Sequence, residues 1–341
     1  MNYFLFLFLV LSIFIVNIFL IKKNYFPSIS GDSHQKLTLN KSIPLSGGFY
    51  LIIIFFIHFY SQIGLVFFSI FSMFLIGLSS DIKIINSAKL RIILQFIVIF
   101  SLIIFLDLKI LSTRIALFDE LLEINFINYI FVSFCILIIV NGSNFIDGLN
   151  TLVIGYYSII TIIIYKINLL SVIPIDSGLV LSWISFLLFI FLLNLFNKLF
   201  LGDSGAYFLG FSYAILLIMI HNKNLSVSPF FIILLLWYPG FEILFSIIRK
   251  VNSKISPLSP DIKHLHQMIF IYLNRTFFKK KIYANIVSAN IINLYNIIIF
   301  FIAINDISKT SFQIILIMFN IFIYIITYFT LIKNHKLSSK S

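Results

Sequence analysis

The sequence predicts an all-α fold, a polytopic membrane helical bundle of about eleven transmembrane helices forming one domain over residues 1–341. Three observations predict it. Hydrophobic residues make up 61% of the chain and charged residues 11%, against roughly 45–50% and about 25% in an ordinary soluble domain. Apolar runs close to the roughly 20 residues that cross hydrocarbon recur along the whole chain. The period-two alternation of barrel strands is absent, and in lipid only helices and closed barrels satisfy their own backbone groups.

Taken in order, the first run covers residues 2–21. It lacks a basic start and a small-residue cleavage site, so it reads as a retained span and not as a signal peptide. Further spans are expected at 45–60, 63–79, 90–106, 126–140, 149–165, 177–196, 205–221, 229–248, 284–304 and 311–332. Counting Lys and Arg in alternate loops gives an orientation, because short cytoplasmic loops carry the excess. Nineteen of the 24 fall in one set and five in the other. The N-terminus is therefore expected outside and the C-terminus in the cytoplasm, with cytoplasmic loops near 22–44, 80–89, 141–148, 197–204 and 249–283.

Composition also excludes some functions. The single cysteine, Cys135, lies inside an apolar run, so neither a disulfide framework nor a cysteine metal site is available. The net charge of +12 has no soluble basic domain to express it, which argues against a nucleic-acid partner and for positive membrane loops. The heavy use of Ile, Phe, Asn and Lys looks like a compositional bias.

Every polar cluster of interest falls on the expected cytoplasmic side. The first loop reads GDSHQKLTLNKSIPLSGG over 31–48, where Pro44, Gly47 and Gly48 punctuate the entry to a span, and His34 and Lys36 could meet an anion. The second reads GLSSDIKIINSAKLR over 77–91. It sets Asp81 at the membrane border, either as a helix cap or as a functional carboxylate, with the phosphate-seeking Lys83, Lys89 and Arg91 behind it. The third reads NGSNFIDGLN over 141–150, where Asn144, Asp147 and Asn150 are three apart. If the turn runs into a helix, that spacing puts them on one face; the same residue types also make an ordinary turn. An aspartate beside bilayer-length apolar runs is costly, which favours function.

The fourth loop reads FLGDSGAYFLG over 200–210. Its glycines allow close backbone approach around Asp203, which could bind Mg2+ holding a diphosphate or could simply cap a helix. The longest loop carries SPLSPDIKHLHQ over 256–267. His264 and His266, two apart, do not share a helix face, so a zinc pair is not expected; both could reach phosphate oxygens, or lie on the surface. On the opposite side Asp107, Asp119, Glu120 and Glu123 lack comparable spacing and read as solvated surface.

Together, PLSGG, SSD, NGSNFIDGLN, FLGDSGAYFLG and HLHQ, in this order over nearly the whole chain, resemble the polyprenyl-phosphate N-acetylhexosamine-1-phosphate transferases. These are glycosyltransferase family 4 enzymes of the type that initiates O-antigen and common-antigen synthesis, related to the peptidoglycan translocase. The resemblance implies transfer of an N-acetylamino-sugar 1-phosphate from a UDP-sugar to undecaprenyl or another polyprenyl phosphate, with release of UMP. It implies Asp81, Asp147 and Asp203 as catalytic residues, and Mg2+ (or Mn2+) on Asp203 and Asp147. Asn144, Asn150, His264, His266, Lys83 and Lys89 would contact substrate. The lipid bilayer is a partner, a homodimer is open, and the setting is the bacterial inner membrane.

Three departures stand out. Ser80 stands where the family usually has an acid, Asn150 where it has a second Asp, and Gln267 where it has a further His. A subfamily with altered donor contacts and a non-catalytic homologue that binds lipid-linked sugars both fit such changes. A transporter or flippase fits less well, because its ionisable residues should lie at mid-membrane depth.

Overall fold

The computed structural model describes residues 3–25, 43–64, 66–173, 175–257, 259 and 262–338, and within them regular structure is helical throughout. All eleven apolar runs lie on helices. They are α1 (Tyr3–Lys23), α2 (Gly47–Ile63), α3 (Val66–Asp81), α4 (Ala88–Leu106), α6 (Asn125–Ile146), α7 (Leu152–Lys166), α8 (Ser177–Leu195), α9 (Gly202–Lys223), α13 (Lys281–Ala303) and α14 (Thr310–Ser338). The remaining run is split between α10 (Pro229–Leu235) and α11 (Trp237–Asn252), which bend by 76° at the break. Two further helices, α5 (Ala116–Leu122) and α12 (Leu265–Thr276), occupy connections.

Length refines the span count. Among the described residues, six helices are long and apolar enough to cross a membrane, or seven if the bent pair is one span. Gly47–Phe59, Val66–Asp81 and Leu152–Lys166 are apolar but shorter. At about 1.5 Å per residue a helix of that size falls short of the roughly 30 Å hydrocarbon core. Outward faces are apolar, as lipid requires: Phe8, Ile97, Phe105, Phe322 and Phe329 are all exposed.

Several expected loops are partly helix. α6 continues through Asn141 to Ile146, so the stretch beginning at 141 is mostly the end of a helix. Its polar groups are satisfied locally: Asn141 Nδ2 donates to Leu137 O at 2.9 Å and to Gln95 Oε1 at 2.8 Å, and Ser143 Oγ donates to Ile139 O at 2.6 Å. A helix can therefore carry this polar sequence at a membrane border without unpaired groups. α9 likewise begins at Gly202, and α12 fills part of the longest loop.

α9 is the hub, with 78% of its apolar window buried against neighbours that include α2, α3 and α6. Small residues let these helices approach. A methyl group at Gly77 of α3 would sit 2.5 Å from Ser204 Cα, and one at Gly210 of α9 would sit 2.7 Å from Ser143 Oγ of α6. Gly142 lies against the Pro239 carbonyl of α11 in the same way. At the opposite end of α9, Arg114 ties three connections together, donating to Leu225 O and Ser226 O at 2.8 Å and to Thr310 Oγ1 at 3.0 Å.

Candidate active site

The first and fourth polar stretches meet as paired backbone. Phe200 N donates to Pro44 O at 2.9 Å, Gly47 N to Phe200 O at 3.0 Å and Gly48 N to Leu201 O at 3.3 Å. This clasp fixes where α9 starts. His34 and Lys36 lie outside the described residues.

At that start Gly202 has φ +71°, in the left-handed region where a side chain is strained. A Cβ there would also lie 2.6 Å from Asp81 Oδ2. The space serves Asp81. Its Oδ1 accepts from Asp203 N at 2.8 Å and its Oδ2 from Ser204 N at 3.1 Å. The first amides of a helix have no partner of their own and carry partial positive charge, so a carboxylate there is favourable. Asp81 is thus a cap, but for α9 and not for its own helix. Asp203 does not cap; it lies in the first turn of α9, and its Oδ2 accepts from Ser80 Oγ at 2.5 Å and Arg91 Nη1 at 2.8 Å. Arg91 Nη1 also contacts Ser80 Oγ. A hydroxyl at 80 accommodates this bridge between helix ends.

Asp147 follows α6 as its C-cap. Burial, then the Asp203 charge, then that of Asp81, push its carboxyl well above the usual carboxylate range. Three carboxylates from three helix ends are therefore gathered within electrostatic reach, and Arg91 pairs with one of them, Asp203. Lys83 and Lys89 are exposed.

The three-residue spacing of Asn144, Asp147 and Asn150 does not form one helical face. α6 ends at Ile146, and Thr151 takes φ +69° before α7 begins. Asn144 is half-buried and its carbonyl accepts from Asp147 N at 3.2 Å. Asn150 is buried in a network of amides. Its Nδ2 donates to Asn197 Oδ1 at 2.6 Å and Asn194 O at 3.1 Å, and its N donates to Asn285 Oδ1 at 3.0 Å. It joins the start of α7 to the end of α8 and to α13.

The late histidines reach the same end of the bundle. His264 is the N-cap of α12 and its ring lies parallel to that of His266, with centroids 5.7 Å apart. His266 is fully buried, and a Cβ at Gly148 would be 2.6 Å from its Nε2, so it packs against the residue after Asp147. His264 also meets Phe145 edge-on, with centroids 5.1 Å apart. Gln267 closes a capping box, its Oε1 accepting from His264 N at 3.3 Å. Sequence reasoning passed over Glu242, which is buried on α11 with Oε1 2.9 Å from His264 Nδ1. The sole signal was one acid inside the apolar run FEILF.

The site lies at one end of a polytopic membrane bundle. Residues 63–221 match the family model described as glycosyl transferase family 4, a segment that contains Asp81, Arg91, Asp147, Asn150 and Asp203. Relatives with curated names agree with the resemblance seen in the motifs. The chain is 28% identical over 194 residues to a "probable undecaprenyl-phosphate N-acetylglucosaminyl 1-phosphate transferase" of Bacillus subtilis, covering 54% of this chain and 52% of that protein. It is 34% identical over 131 residues to an "undecaprenyl-phosphate alpha-N-acetylglucosaminyl 1-phosphate transferase" of Thermotoga maritima, covering 38% of each. The match thus spans about half the length of the first relative and less of the second. Glu242 of α11 and the late loop with His264 and His266 lie beyond the family match.

Proposed function

We propose that the protein transfers an N-acetylamino-sugar 1-phosphate from a UDP-sugar to a polyprenyl phosphate at the cytoplasmic side of the bacterial inner membrane, initiating a cell-surface polysaccharide. The observation that carries this reading is the gathering of Asp81, Asp147 and Asp203 from three helix ends beside Arg91. The relatives' names supply the substrate class. In the reaction an oxygen of the lipid phosphate attacks the β-phosphorus of the donor. The new P–O bond forms as the bond to the bridging oxygen breaks, and UMP leaves with that electron pair.

In-line phosphoryl transfer needs positioning and charge neutralisation more than covalent chemistry. Arg91 sits where it can offset phosphate charge once substrate competes for it with Asp203. His264 and His266 line the same end and suit phosphate oxygens. A lipid phosphate has a second pKa near about 6 and is already mostly ionised, so Asp81 is assigned to orientation and to holding the α9 terminus, not to proton removal. Among the described residues no group of three or more His, Cys, Asp or Glu is arranged to hold a metal ion. The donor chemistry nevertheless fits Mg2+, a hard cation usually held by one or two carboxylates together with substrate phosphates. Asp203 and Asp147 would hold it. When bound it would neutralise the diphosphate.

The test is incubation of membranes with radiolabelled UDP-sugars, among them GlcNAc, GalNAc, FucNAc and QuiNAc, and with polyprenyl phosphate. Mg2+-dependent, butanol-extractable label with UMP release is expected for one of them. No product across the panel would overturn the enzymatic reading in favour of a binder of lipid-linked sugars. In the active pair, Asp203→Asn should lower turnover about 100-fold or more while folded yield persists.

A further inference from the structure

Towards its C-terminal end α12 leaves a cavity of about 110 Å³ against α14. Its lining joins apolar side chains, among them the buried Met268 and Leu331, to the polar Arg275, Thr276 and Asn334. Both walls are tied to one group of α11: Leu265 N of α12 donates to Glu242 Oε1 at 3.3 Å, and Tyr324 OH of α14 donates to Glu242 Oε2 at 2.9 Å. The cavity lies at a membrane border, because the candidate span on α14 closes at Asn334 and the one on α13 opens at Lys281. We propose that this cavity binds the headgroup of an anionic phospholipid, with Arg275 and Asn334 on its phosphate and Met268 and Leu331 against the glycerol and first acyl carbons.

Charge selects the sign of the ligand. From Ile262 onward the sequence has one acid, Asp306, which stands just past the far end of α13. Lys279, Lys280, Lys281 and Lys333 flank the cavity residues in sequence, and all four are exposed. α13 starts among these lysines with no acid in its first turn, so its first amides add partial positive charge. Basic pockets between membrane helices suit anionic headgroups, and each cation near the surface strengthens the attraction about fivefold. Arginine adds planar donors that match phosphate oxygens.

The apolar half of the lining separates a lipid from a free anion. Phe277 and Tyr283, exposed on either side of the three lysines, are of the aromatic kind that settles at a bilayer interface. Lys280 Nζ lies 6.0 Å from the Tyr283 ring centroid. Lysines alone would serve to orient the spans; a lined cavity beside them adds a place for one headgroup. The cavity is also distinct from the carboxylate cluster. Arg275 follows His266 along α12 by roughly 14 Å, at about 1.5 Å per residue. A lipid held at the last turn would therefore tether the helix whose first turn sets His266 against Gly148.

The test measures binding and needs no transferase activity. Purified protein in a nonionic detergent is titrated with dioleoylphosphatidylglycerol, with dioleoylphosphatidylcholine or with inorganic phosphate, and bound molecules are counted by native mass spectrometry. Wild type should retain phosphatidylglycerol in preference to phosphatidylcholine, and millimolar phosphate should not displace it. Arg275→Gln should weaken that retention roughly tenfold or more, the loss expected when a hydrogen bond to a charged group is removed. Lys254→Gln, which removes an exposed cation after α11 and outside the cavity, should change it far less. Both positions are exposed, and size-exclusion elution checks that both variants fold. Equal retention of the two lipids, displacement by phosphate, an unaffected Arg275→Gln, or losses of the same size in the two variants would overturn the proposal.

Discussion

Replacing Asn150 by aspartate restores the acid that the resemblance leads one to expect, and the structure says that it will harm the protein. The Asn150 amide donates two hydrogen bonds, to Asn197 Oδ1 at 2.6 Å and Asn194 O at 3.1 Å, and the residue is 5% exposed. An ionised aspartate has no proton to donate, so its oxygens would face two acceptors. Losing two bonds costs about 0.5–1.5 kcal/mol each, and burying the orphaned oxygens adds about 1–3 kcal/mol. The sum, roughly 2–6 kcal/mol, is a large part of the 5–15 kcal/mol (about) that stabilises a typical protein.

The sign of its pH dependence follows. Burial against oxygens would raise the folded-state pKa of the new carboxyl above its unfolded value near about 4. The deficit should therefore be smallest below about pH 4 and should grow as pH rises towards that raised pKa. Thermal unfolding of the purified protein in detergent at pH 5 and pH 8 measures it, alongside turnover. Asn150→Asp should unfold at lower temperature, more so at pH 8, and turn over no faster than wild type. A variant as stable as wild type at pH 8 and more active would refute the view that Asn150 is a lock between helices.

Two other substitutions probe the site from different directions. Asp147→Asn removes a carboxyl whose proton affinity is raised by burial and by Asp203 and Asp81. With EDTA present it should raise Tm at pH 8, with the gain shrinking as pH falls towards about 4, while activity is lost; an unchanged Tm at both pH values would refute the charge clustering. Gly77→Ala pushes a methyl against the backbone at Ser204, 2.5 Å away, and should destabilise by about 1–3 kcal/mol. Its activity should fall beyond what the lost folded yield explains, since the α9 start shifts, and wild-type kcat in the folded fraction would contradict that.

Local pattern and long-range pairing divide what could be read from the sequence alone. Apolar runs located every long helix, because lipid leaves a chain few other solutions. The meeting of PLSGG with FLGDSG was foreseeable only as convergence of loops, and the clasp between Pro44 and Phe200 rests on backbone atoms that carry no sequence signal. The polar run from Asn141 looked like a loop, yet Asn141 and Ser143 bond back to their own helix. Asn150 looked aimed at a ligand because its partners, Asn194, Asn197 and Asn285, lie far along the chain. Arg91 was one cation among three until the fold chose it. Glu242 escaped notice because nothing nearby reveals that His264 and Tyr324 will come to it.

The hub helix has a consequence for how the protein is made. α9 has a mean hydropathy of 1.5, below the 2.0–2.3 of the other candidate spans, and it begins with Gly202, Asp203 and Ser204. Such a segment enters a bilayer poorly by itself. Its partners α2, α3 and α6 all precede it in the chain and are ready when it emerges, with the Asp81 carboxylate in position to receive its amides. An insertion reporter carrying α9 alone should integrate inefficiently, and one carrying α2 to α9 should integrate well; equal efficiency would sink the idea. Synthesis from N- to C-terminus then assembles the carboxylate cluster as a by-product of admitting its least greasy helix, so that a chain which fails to build the site also fails to complete its membrane topology.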